Sequence, residues 1–524
     1  MVGIIPTPKK YQLEVGYFEL KDSLKVFANG KCASRLEFAA KELLSKVKLT
    51  FINDISSADI ILAEDNKLFR AEEYTVTVEP HIIRCYFSDF LGGRNALSTL
   101  SQIIGANKKS RLLPCCVIND YPDAVFRSFM HDTGRKYIPM AELKAHILLM
   151  AKCKMNVLHF HLSEAVGFSI ALSDFPELNG VSTEQYAETE IKELVDYAEA
   201  LGVDVIPEID VPGHSNVFTS SHNEIACELY GSEQTQGWTL CVGSDDTYSF
   251  LLRLIKSVSR LFKSKYFHLG TDEISMTDEK RLPHPVADWL KCKRCRALME
   301  RCGYVSEVDL FYHFLKKVYE IISSFGKKLI IWNDWIDISK SPDLPRDILI
   351  EFWRVAAPTR GPHIGCSMQR FLDEGFNVIN ASYPDTYIDL YVNYERLCDW
   401  NFRRIPASDQ NTEGKIIGGD VCAWDVHSHF KHSVPVAIAL YSEKLWNEEG
   451  SLDKKFLQAA STVLLGSDSI NIFDYLKEVI CLDDSSNPFL DSIDRAALRE
   501  ALGETEQLDN AERHLVYAYL SYLI

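Results

Sequence analysis

From residue 125 onward, short apolar runs alternate with longer segments whose apolar residues recur every three or four positions. The first pattern is typical of buried strands and the second of amphipathic helices. Eight strands are predicted, at 125–130, 157–162, 203–209, 266–270, 329–332, 348–353, 377–380 and 416–424. Helices are predicted between or after most of them, at 140–152, 189–201, 248–262, 310–325, 368–374 and 434–446.

Eight strands that alternate with helices predict an α/β fold of the (β/α)8, or TIM-barrel, type over residues 122–450. A doubly wound open sheet is the alternative. Such a sheet usually has fewer strands and a glycine-rich phosphate turn, and no G-x-G-x-x-G pattern follows any predicted strand. The pattern therefore favours a closed barrel.

The segments on either side of the barrel have different patterns. Residues 1–121 mix helical patterns with strand-like runs, at 35–47, 59–62, 74–78 and 92–104. This predicts a small α/β or α+β domain, and no chemical motif appears in it. Residues 451–524 are helical and charged, with amphipathic stretches at 496–502 and 511–524. We expect a C-terminal helical extension that packs on the barrel or contacts a second copy of the chain.

The charge balance limits the kinds of partner. The 524-residue chain has a hydrophobic content of 46%, as in ordinary globular proteins, and a formal net charge of -18. Because no basic excess is available to neutralise phosphates, a nucleic-acid or anionic-membrane partner is disfavoured. No apolar run is long enough to span a bilayer, and residues 1–10 contain no apolar leader segment. The absence of a leader segment predicts a cytoplasmic location.

The cysteines suggest one candidate metal site. The chain has 14 cysteines, and several are scattered among apolar or loop residues as free thiols would be in a reducing compartment. His284, Cys292, Cys295 and Cys302 together resemble the ligand set of a structural zinc site. The alternative is core packing, because these cysteines share helical spacing with Trp289. Metal analysis of the purified protein would separate the two interpretations.

An acidic pair follows the fourth predicted strand. The sequence Tyr-Phe-His-Leu-Gly-Thr-Asp-Glu begins as a buried strand and ends in Asp272 and Glu273. Ligands bind at the carboxyl ends of strands in α/β folds, so this pair is placed where chemistry is expected. Neighbouring carboxylates also perturb each other, so that one can stay ionised while the other holds a proton.

The other strand ends are also rich in polar and aromatic residues. Beyond the acidic pair they carry His131, Asp132, Arg135, His159, His161, Glu164, Glu208, Asp210, His214, Trp332, Asn333, Asp334, Trp353, Arg354, Tyr383, Tyr387, Asp389, Trp424 and Asp425. Acids together with several tryptophans in one pocket indicate a sugar ligand. The apolar faces of a sugar ring stack on indole, and its hydroxyl groups form charge-assisted hydrogen bonds.

These motifs resemble glycoside hydrolase family 20, the β-N-acetylhexosaminidases, over most of residues 1–446. The segment 203–214 (VDVIPEIDVPGH) is nearly identical to the family pattern. The segments 129–135, 158–164 (LHFHLSE), 268–273 (HLGTDE) and 418–424 (GGDVCAW) resemble further family motifs in the expected order, and the N-terminal unit resembles the domain that precedes the barrel. Two substitutions stand out, since Thr271 replaces a glycine and Glu164 replaces an aspartate.

The resemblance implies a retaining exo-β-N-acetylhexosaminidase that uses substrate-assisted catalysis. Glu273 would act as general acid and then as base, and its pKa should be raised by an apolar mouth and by Asp272. The 2-acetamido oxygen of the substrate would be the nucleophile, giving an oxazolinium intermediate. Asp272 would orient the acetamido N–H, and Tyr387 would donate a hydrogen bond to the acetamido oxygen. The resemblance implies no metal or organic cofactor.

The resemblance also implies how the sugar is held. The indole rings of Trp332, Trp353 and Trp424 would surround the acetamido methyl group and the sugar ring. Ring hydroxyl groups would bind to Arg135 and Asp389. His214, together with Glu164, would support the acidic pair from behind.

One position departs from the family pattern and leaves the substrate open. The family usually has a glutamate two residues after Trp424 that binds the outer hydroxyl groups, and here this residue is Val426. We therefore expect weak discrimination between GlcNAc and GalNAc. A specialised substrate, such as a disaccharide unit or a 6-substituted hexosaminide, is an alternative, as is a non-catalytic sugar-binding protein. Asp272, Glu273 and Tyr387 argue against the last, because a binding protein has no use for a general acid.

Overall fold

The structure is a computed structural model and describes residues 3–227, 237–274, 289–334, 336, 343–353, 366–383, 385–388, 394–404, 414–424 and 433–465. Within these ranges an α/β domain precedes a closed barrel of eight parallel strands, which confirms the predicted fold class. No helix in these ranges is long and apolar enough to cross a membrane.

The N-terminal domain is a seven-stranded sheet with two helices. Its strands are β1 Lys10–Glu19, β2 Ser23–Asn29, β3 Lys48–Ile52, β4 Ile60–Glu64, β5 Tyr74–Val78, β6 Ile83–Phe87 and β7 Leu112–Asp120. Its helices are α1 Ala33–Leu43 and α2 Phe90–Ala106, with a 3-10 turn at Ile55–Ser57. The strand order is β1-β7-β5-β6-β4-β2-β3. Alternate residues of β5 are buried, as expected for a strand with one face against the core.

The barrel strands occur close to their predicted positions. They are β8 Phe126–Asp132, β9 Val157–His161, β14 Asp204–Glu208, β15 Tyr266–His268, β16 Lys328–Trp332, β17 Leu349–Phe352, β18 Asn377–Asn380 and β19 Ile416–Ala423. The barrel closes where β19 pairs with β8. The loop after β9 contains four two-residue strands, β10 Ser163–Glu164, β11 Gly167–Phe168, β12 Ile170–Ala171 and β13 Tyr186–Ala187.

The helices include several that the pattern did not predict. The helices after β8 are α3 Met140–Lys152, α4 Glu188–Ala200, α5 Asn216–Thr219, α6 Asp245–Ser259, α7 Lys293–Cys302, α8 Glu307–Ser324, α9 Met368–Asp373, α10 Tyr394–Asp399, α11 Ser433–Trp446 and α12 Lys454–Leu465, with 3-10 turns at Pro176–Leu178 and Asn223–Ile225. The short helices α5 and α10 lie in loops that carry no long apolar stripe, whereas α7 covers cysteines whose helical spacing the sequence already shows. The predicted tail helices 496–502 and 511–524 lie outside the described residues.

The barrel interior changes from apolar to charged along its axis. At the amino end of the strands, inward side chains form an apolar cluster of Phe126, Val157, Ile206, Ile330, Leu349 and Ile379. Closer to the carboxyl ends lie the buried ionisable residues His159, Glu208, His268, Glu351 and Asp420. The apolar cluster closes the bottom of the barrel, so the functional groups are presented at the top, where TIM barrels place their active sites.

Candidate active site

Asp272 and Glu273 lie just beyond β15, on backbone that has left the extended conformation. The φ angles are +69° at Gly270, +81° at Thr271 and +45° at Glu273. A Cβ atom on Gly270 would lie 1.9 Å from Oδ1 of Asp210, so both conformation and space require glycine there. The positive φ angles of Thr271 and Glu273 are unfavourable and cost about 1–3 kcal/mol each. As a result Asp272 is buried, whereas the Glu273 side chain is 28% exposed.

Two residues of a neighbouring loop hold the strained backbone in place. The indole Nε1 of Trp238 donates to the carbonyl oxygen of Glu273 at 3.1 Å. Next to it, the hydroxyl of Thr239 donates to the carbonyl oxygen of Ile274 at 2.9 Å. These bonds tie the loop between β14 and α6 to the segment that carries the acidic pair.

His214 lies against both carboxylates of the acidic pair. Its Nε2 is 3.6 Å from Oε2 of Glu273 and 3.8 Å from Oδ2 of Asp272. Its ring centroid is 4.3 Å from that of Trp238, and its Nδ1 contacts a carboxylate oxygen of Glu164. Burial by itself lowers the pKa of His214, but Glu164 and the nearby carboxyl of Asp210 raise that pKa well above its ordinary value. A protonated His214 therefore places a positive charge beside the pair.

Glu164 is a buried anion between two cations. It contacts His214 on one side and accepts a hydrogen bond from Nη2 of Arg135 at 2.5 Å on the other. Burial raises the pKa of Glu164, but these cations outweigh burial and lower the pKa to about 2. Nη1 of Arg135 donates to Asp132 at 2.7 Å, and the guanidinium lies over the ring of Trp424 at 5.3 Å. Arg135 is thereby held in one orientation at the mouth of the barrel.

Asp272 combines burial with an unpaired oxygen. Burial and the neighbouring Glu273 raise the pKa of Asp272, while His214 lowers it. Among the described residues, no group forms a hydrogen bond with its Oδ1 atom. A buried carboxylate oxygen without a partner is costly, and a ligand N–H group would satisfy it.

Aromatic residues form one continuous wall beside these groups. Trp332 and Trp424 lie with ring centroids 6.1 Å apart, and Tyr387 is 6.2 Å from Trp424. Trp353 stacks on Tyr387 at 6.1 Å with an interplanar angle of 25°. The indole Nε1 of Trp332 donates to Oε1 of Glu208 at 2.9 Å, which fixes its ring. Such a wall suits the apolar face of a sugar.

The aromatic wall rests on the buried charged layer of the barrel. His159 lies 2.8 Å from Asp420 and 3.0 Å from Glu208, and His268 lies 3.0 Å from Glu208 and 3.4 Å from Glu351. Burial raises the pKa of Glu208, but the surrounding histidines lower it well below its ordinary value. Burial and the Asp420 carboxyl raise the pKa of Glu351 to about 7. The layer therefore mixes charged and protonated groups, and through Glu208 it orients Trp332.

The described residues include nine of the ten predicted site residues. All nine lie at the carboxyl end of the barrel or in the loops that follow. They are Glu273, Asp272, Tyr387, Arg135, His214, Trp332, Trp353, Trp424 and Glu164. Asp389 and the region around Val426 lie outside the described residues.

Sequence reasoning missed Trp238, Thr239 and Glu351. A lone carboxylate inside the apolar run 348–353 was a signal for Glu351. Nothing in the local pattern marked Trp238 or Thr239, because each acts on residues that are distant in the sequence.

The predicted zinc ligands are corrected in part. Cys292 and Cys295 are buried together at the start of α7, but Cys302 is exposed at the other end of that helix. Cys302 is the seventh residue after Cys295 on this helix, a distance of roughly 10 Å along the helix axis. His284 lies outside the described residues. The sulfur atoms that do meet Cys292 and Cys295 belong to Cys227 and Cys241.

The chain matches two sequence models of one family. The model described as glycosyl hydrolase family 20, catalytic domain, matches residues 125–449, and the model of domain 2 of the same family matches residues 1–121.

Individual relatives agree with these matches. The chain is 27% identical over 430 residues to a beta-hexosaminidase of Vibrio furnissii, covering 76% of this chain and 66% of that protein. It is 27% identical to beta-hexosaminidase 3 of Arabidopsis thaliana, covering 69% and 65%. The chain thus spans slightly less than two thirds of the length of these relatives. In fold it is similar to an exo beta-N-acetylglucosaminidase of Vibrio harveyi solved in complex with N-acetylglucosamine, with a TM-score of 0.73, 21% identity and coverage of 92% and 78%.

Proposed function

The chain belongs to glycosyl hydrolase family 20, and on this premise we propose that it is a retaining exo-β-N-acetylhexosaminidase. It removes terminal β-linked GlcNAc or GalNAc from glycans, with the 2-acetamido group of the substrate as nucleophile. The observation that carries the proposal is the environment of the acidic pair. Among the described residues the buried Asp272 has one oxygen without a hydrogen-bond partner, Glu273 is partly exposed, and a cationic His214 lies beside both.

In the first step Glu273 donates its proton to the glycosidic oxygen. The C1–O bond breaks as the acetamido oxygen attacks C1, and the leaving group departs as an alcohol. Positive charge then develops on the acetamido group of the oxazolinium ion. The Oδ1 atom of Asp272 accepts the acetamido N–H and stabilises that charge, which is electrostatic catalysis by a group already in place.

In the second step Glu273 acts as the base. It removes a proton from water as the water oxygen attacks C1 from the face that the leaving group vacated, and the acetamido group re-forms. Two inversions give net retention. Tyr387 and the tryptophan wall hold the acetamido group in position for attack, and this orientation is a large part of the rate advantage of an intramolecular nucleophile.

Arg135 recognises the far side of the sugar. Its guanidinium lies over Trp424 and is held by Asp132 and Glu164, so it is oriented before substrate arrives. Preorganised donors of this kind bind hydroxyl groups with little ordering cost. Asp389 is proposed to bind ring hydroxyl groups on the same side.

Comparing three 4-nitrophenyl glycosides tests the proposal. The β-GlcNAc and β-GalNAc substrates should be hydrolysed, whereas the β-glucoside, which has no acetamido nucleophile, should not be. Glu273→Gln should lower turnover by about 10²–10⁴-fold, and Glu37→Gln on the surface helix α1 is the matched control. Hydrolysis of the glucoside at a comparable rate would overturn the substrate-assisted mechanism. No turnover of any of the three by folded protein would overturn the proposed activity.

The substrate range follows from Val426. Since this residue cannot bind the outer hydroxyl groups as the family glutamate does, kcat/KM for GlcNAc and GalNAc substrates should differ by less than about tenfold. A difference of several orders of magnitude would contradict this part of the proposal.

A further inference from the structure

Four cysteines converge in one buried cluster outside the active site. We call Cys227, Cys241, Cys292 and Cys295 the four-cysteine cluster. Their sulfur atoms all lie within 4.8 Å of one another, and all four residues are buried. They come from three segments: the end of the Asn223–Ile225 turn, the loop before α6, and the start of α7.

The spacing of the sulfur atoms matches a metal tetrahedron. Cys241 lies 3.6 Å from Cys292 and 3.7 Å from Cys295, and Cys227 lies 3.9 Å from Cys295, measured between Sγ atoms. A zinc ion with four Zn–S bonds of about 2.3 Å requires sulfur atoms about 3.8 Å apart. A disulfide would require about 2.05 Å, so the cluster is not arranged as two bridges.

The surroundings suit an anionic metal centre. Binding of Zn²⁺ by four thiolates releases the thiol protons and leaves a net charge of -2 on the centre. In the sequence, four basic residues flank the Cys-x-x-Cys pair, Lys291, Lys293, Arg294 and Arg296. Cys292 is the N-cap of α7, where the helix dipole also favours negative charge. A helix N-terminus and neighbouring basic residues favour the thiolate form of cysteine, which is the form that binds metal.

The cluster lies close to the loop that supports the acidic pair. Cys241 is the second residue after Thr239, and its N–H donates to Ile225 at 2.7 Å. The loop packs directly on α7, since a Cβ atom on Gly243 would lie 2.4 Å from the carbonyl oxygen of Arg294. Trp289 donates from its indole to the carbonyl oxygen of Leu240 at 3.0 Å. The cluster therefore joins this loop to the chain segment before and within α7.

We propose that the four-cysteine cluster binds one structural zinc ion as four thiolates, and that this ion fixes the loop carrying Trp238 and Thr239 against the backbone of Glu273 and Ile274. The zinc ion acts by positioning the loop and does not contact substrate, so the four cysteines are positioning residues. The metal-binding half of the proposal is independent of the proposed glycosidase activity. The claim that the ion positions the loop for catalysis by Glu273 rests on that proposed activity.

Metal analysis of the full chain tests the first half. Protein purified without metal-affinity resin should contain about one zinc per chain by mass spectrometry. The double variant Cys241→Ser/Cys295→Ser should lose that zinc, whereas Cys302→Ser, which changes the exposed cysteine of the same helix, should keep it. Wild-type protein without zinc, or with a mass lowered by disulfide formation within the cluster, would overturn the proposal. So would a double variant that keeps full zinc content.

A cobalt measurement keeps the test valid if the double variant does not fold. Wild-type protein, stripped with chelator under reducing conditions and refilled with Co²⁺, should show the intense visible bands of tetrahedral thiolate ligation. Refilled protein without those bands would overturn the four-thiolate site.

The second half is tested by the way in which activity is lost. Removal of zinc should lower kcat at least tenfold while KM changes little, and added Zn²⁺ should restore it. Unchanged kcat in zinc-free protein would overturn the link to Glu273 while leaving the metal site intact.

Discussion

The indole nitrogen of Trp238 donates a hydrogen bond to the backbone carbonyl oxygen of Glu273, across 35 residues of sequence. Glu273 has a φ of +45°, a conformation that non-glycine residues adopt only when the surrounding structure holds them. The orientation of the Glu273 carboxylate therefore depends on a hydrogen bond from a different segment of the chain.

Trp238→Phe should lower kcat by about fivefold with little change in KM. The substitution keeps an aromatic ring beside His214 but removes the indole donor, and one hydrogen bond contributes about 1 kcal/mol. Trp446→Phe is the matched control, because it removes a buried indole bond to Asp120 of 2.9 Å far from the pair. The control should lower thermal stability but leave kcat unchanged. Equal losses of kcat in both variants would contradict the role of Trp238.

Thr271→Gly should be more stable than Thr271→Ala by about 1 kcal/mol. Both substitutions remove the same buried hydroxyl and methyl groups, but only glycine adopts a φ of +81° without strain. Urea denaturation of the two variants measures the difference directly. An alanine variant as stable as the glycine variant would mean that this backbone conformation is not maintained in solution.

Glu164→Gln should lower the free energy of unfolding by about 3 kcal/mol at pH 7. The folded pKa of Glu164 is about 2, against an ordinary value of 4.5. A depressed acid contributes its stability above the unfolded pKa and loses it as the pH falls through the folded pKa. The difference in free energy of unfolding between wild type and variant should therefore reach its full value above about pH 4.5 and decrease toward pH 2.

Denaturant titrations at several pH values measure that difference, with Glu37→Gln as a surface control expected to change little. A difference that stays constant from pH 7 to pH 3 would show that Glu164 is not held as a buried anion between His214 and Arg135.

Glu273→Ala should be rescued by azide, whereas Asp272→Ala should not. A small anion fits the space left by the Glu273 side chain and attacks C1 without needing a base. The expected product is a β-glycosyl azide, formed from a 4-nitrophenyl substrate whose leaving group needs no acid. Asp272→Ala removes the group that stabilises the oxazolinium charge. That charge develops before the step in which azide would take the place of water. Rescue of Asp272→Ala, or an α-linked azide, would contradict these assignments.

The parts of this protein that the sequence determined are local ones. Each barrel strand is a short apolar run and each long helix has its own periodicity, so the eight strands and the fold class follow from single segments. Asp272 and Glu273 are equally local, because a strand that ends in glycine places the next residues at the mouth of the barrel. The strand before them was predicted to end at residue 270, but β15 ends at His268, because the chain turns at Gly270, where φ is +69°.

Tertiary structure decided what depends on residues far apart in the chain. The spacing of Cys292 and Cys295 suggested a metal site, but it could not show that Cys227 and Cys241, 51 to 68 residues earlier, would complete the cluster in place of Cys302. The support of Glu273 by Trp238 and the pairing of Glu164 with both His214 and Arg135 are of the same kind. Periodicity reports which face a residue occupies on its own element. Which loops meet above the barrel depends on the packing of all eight strand ends together, and no single segment carries that information.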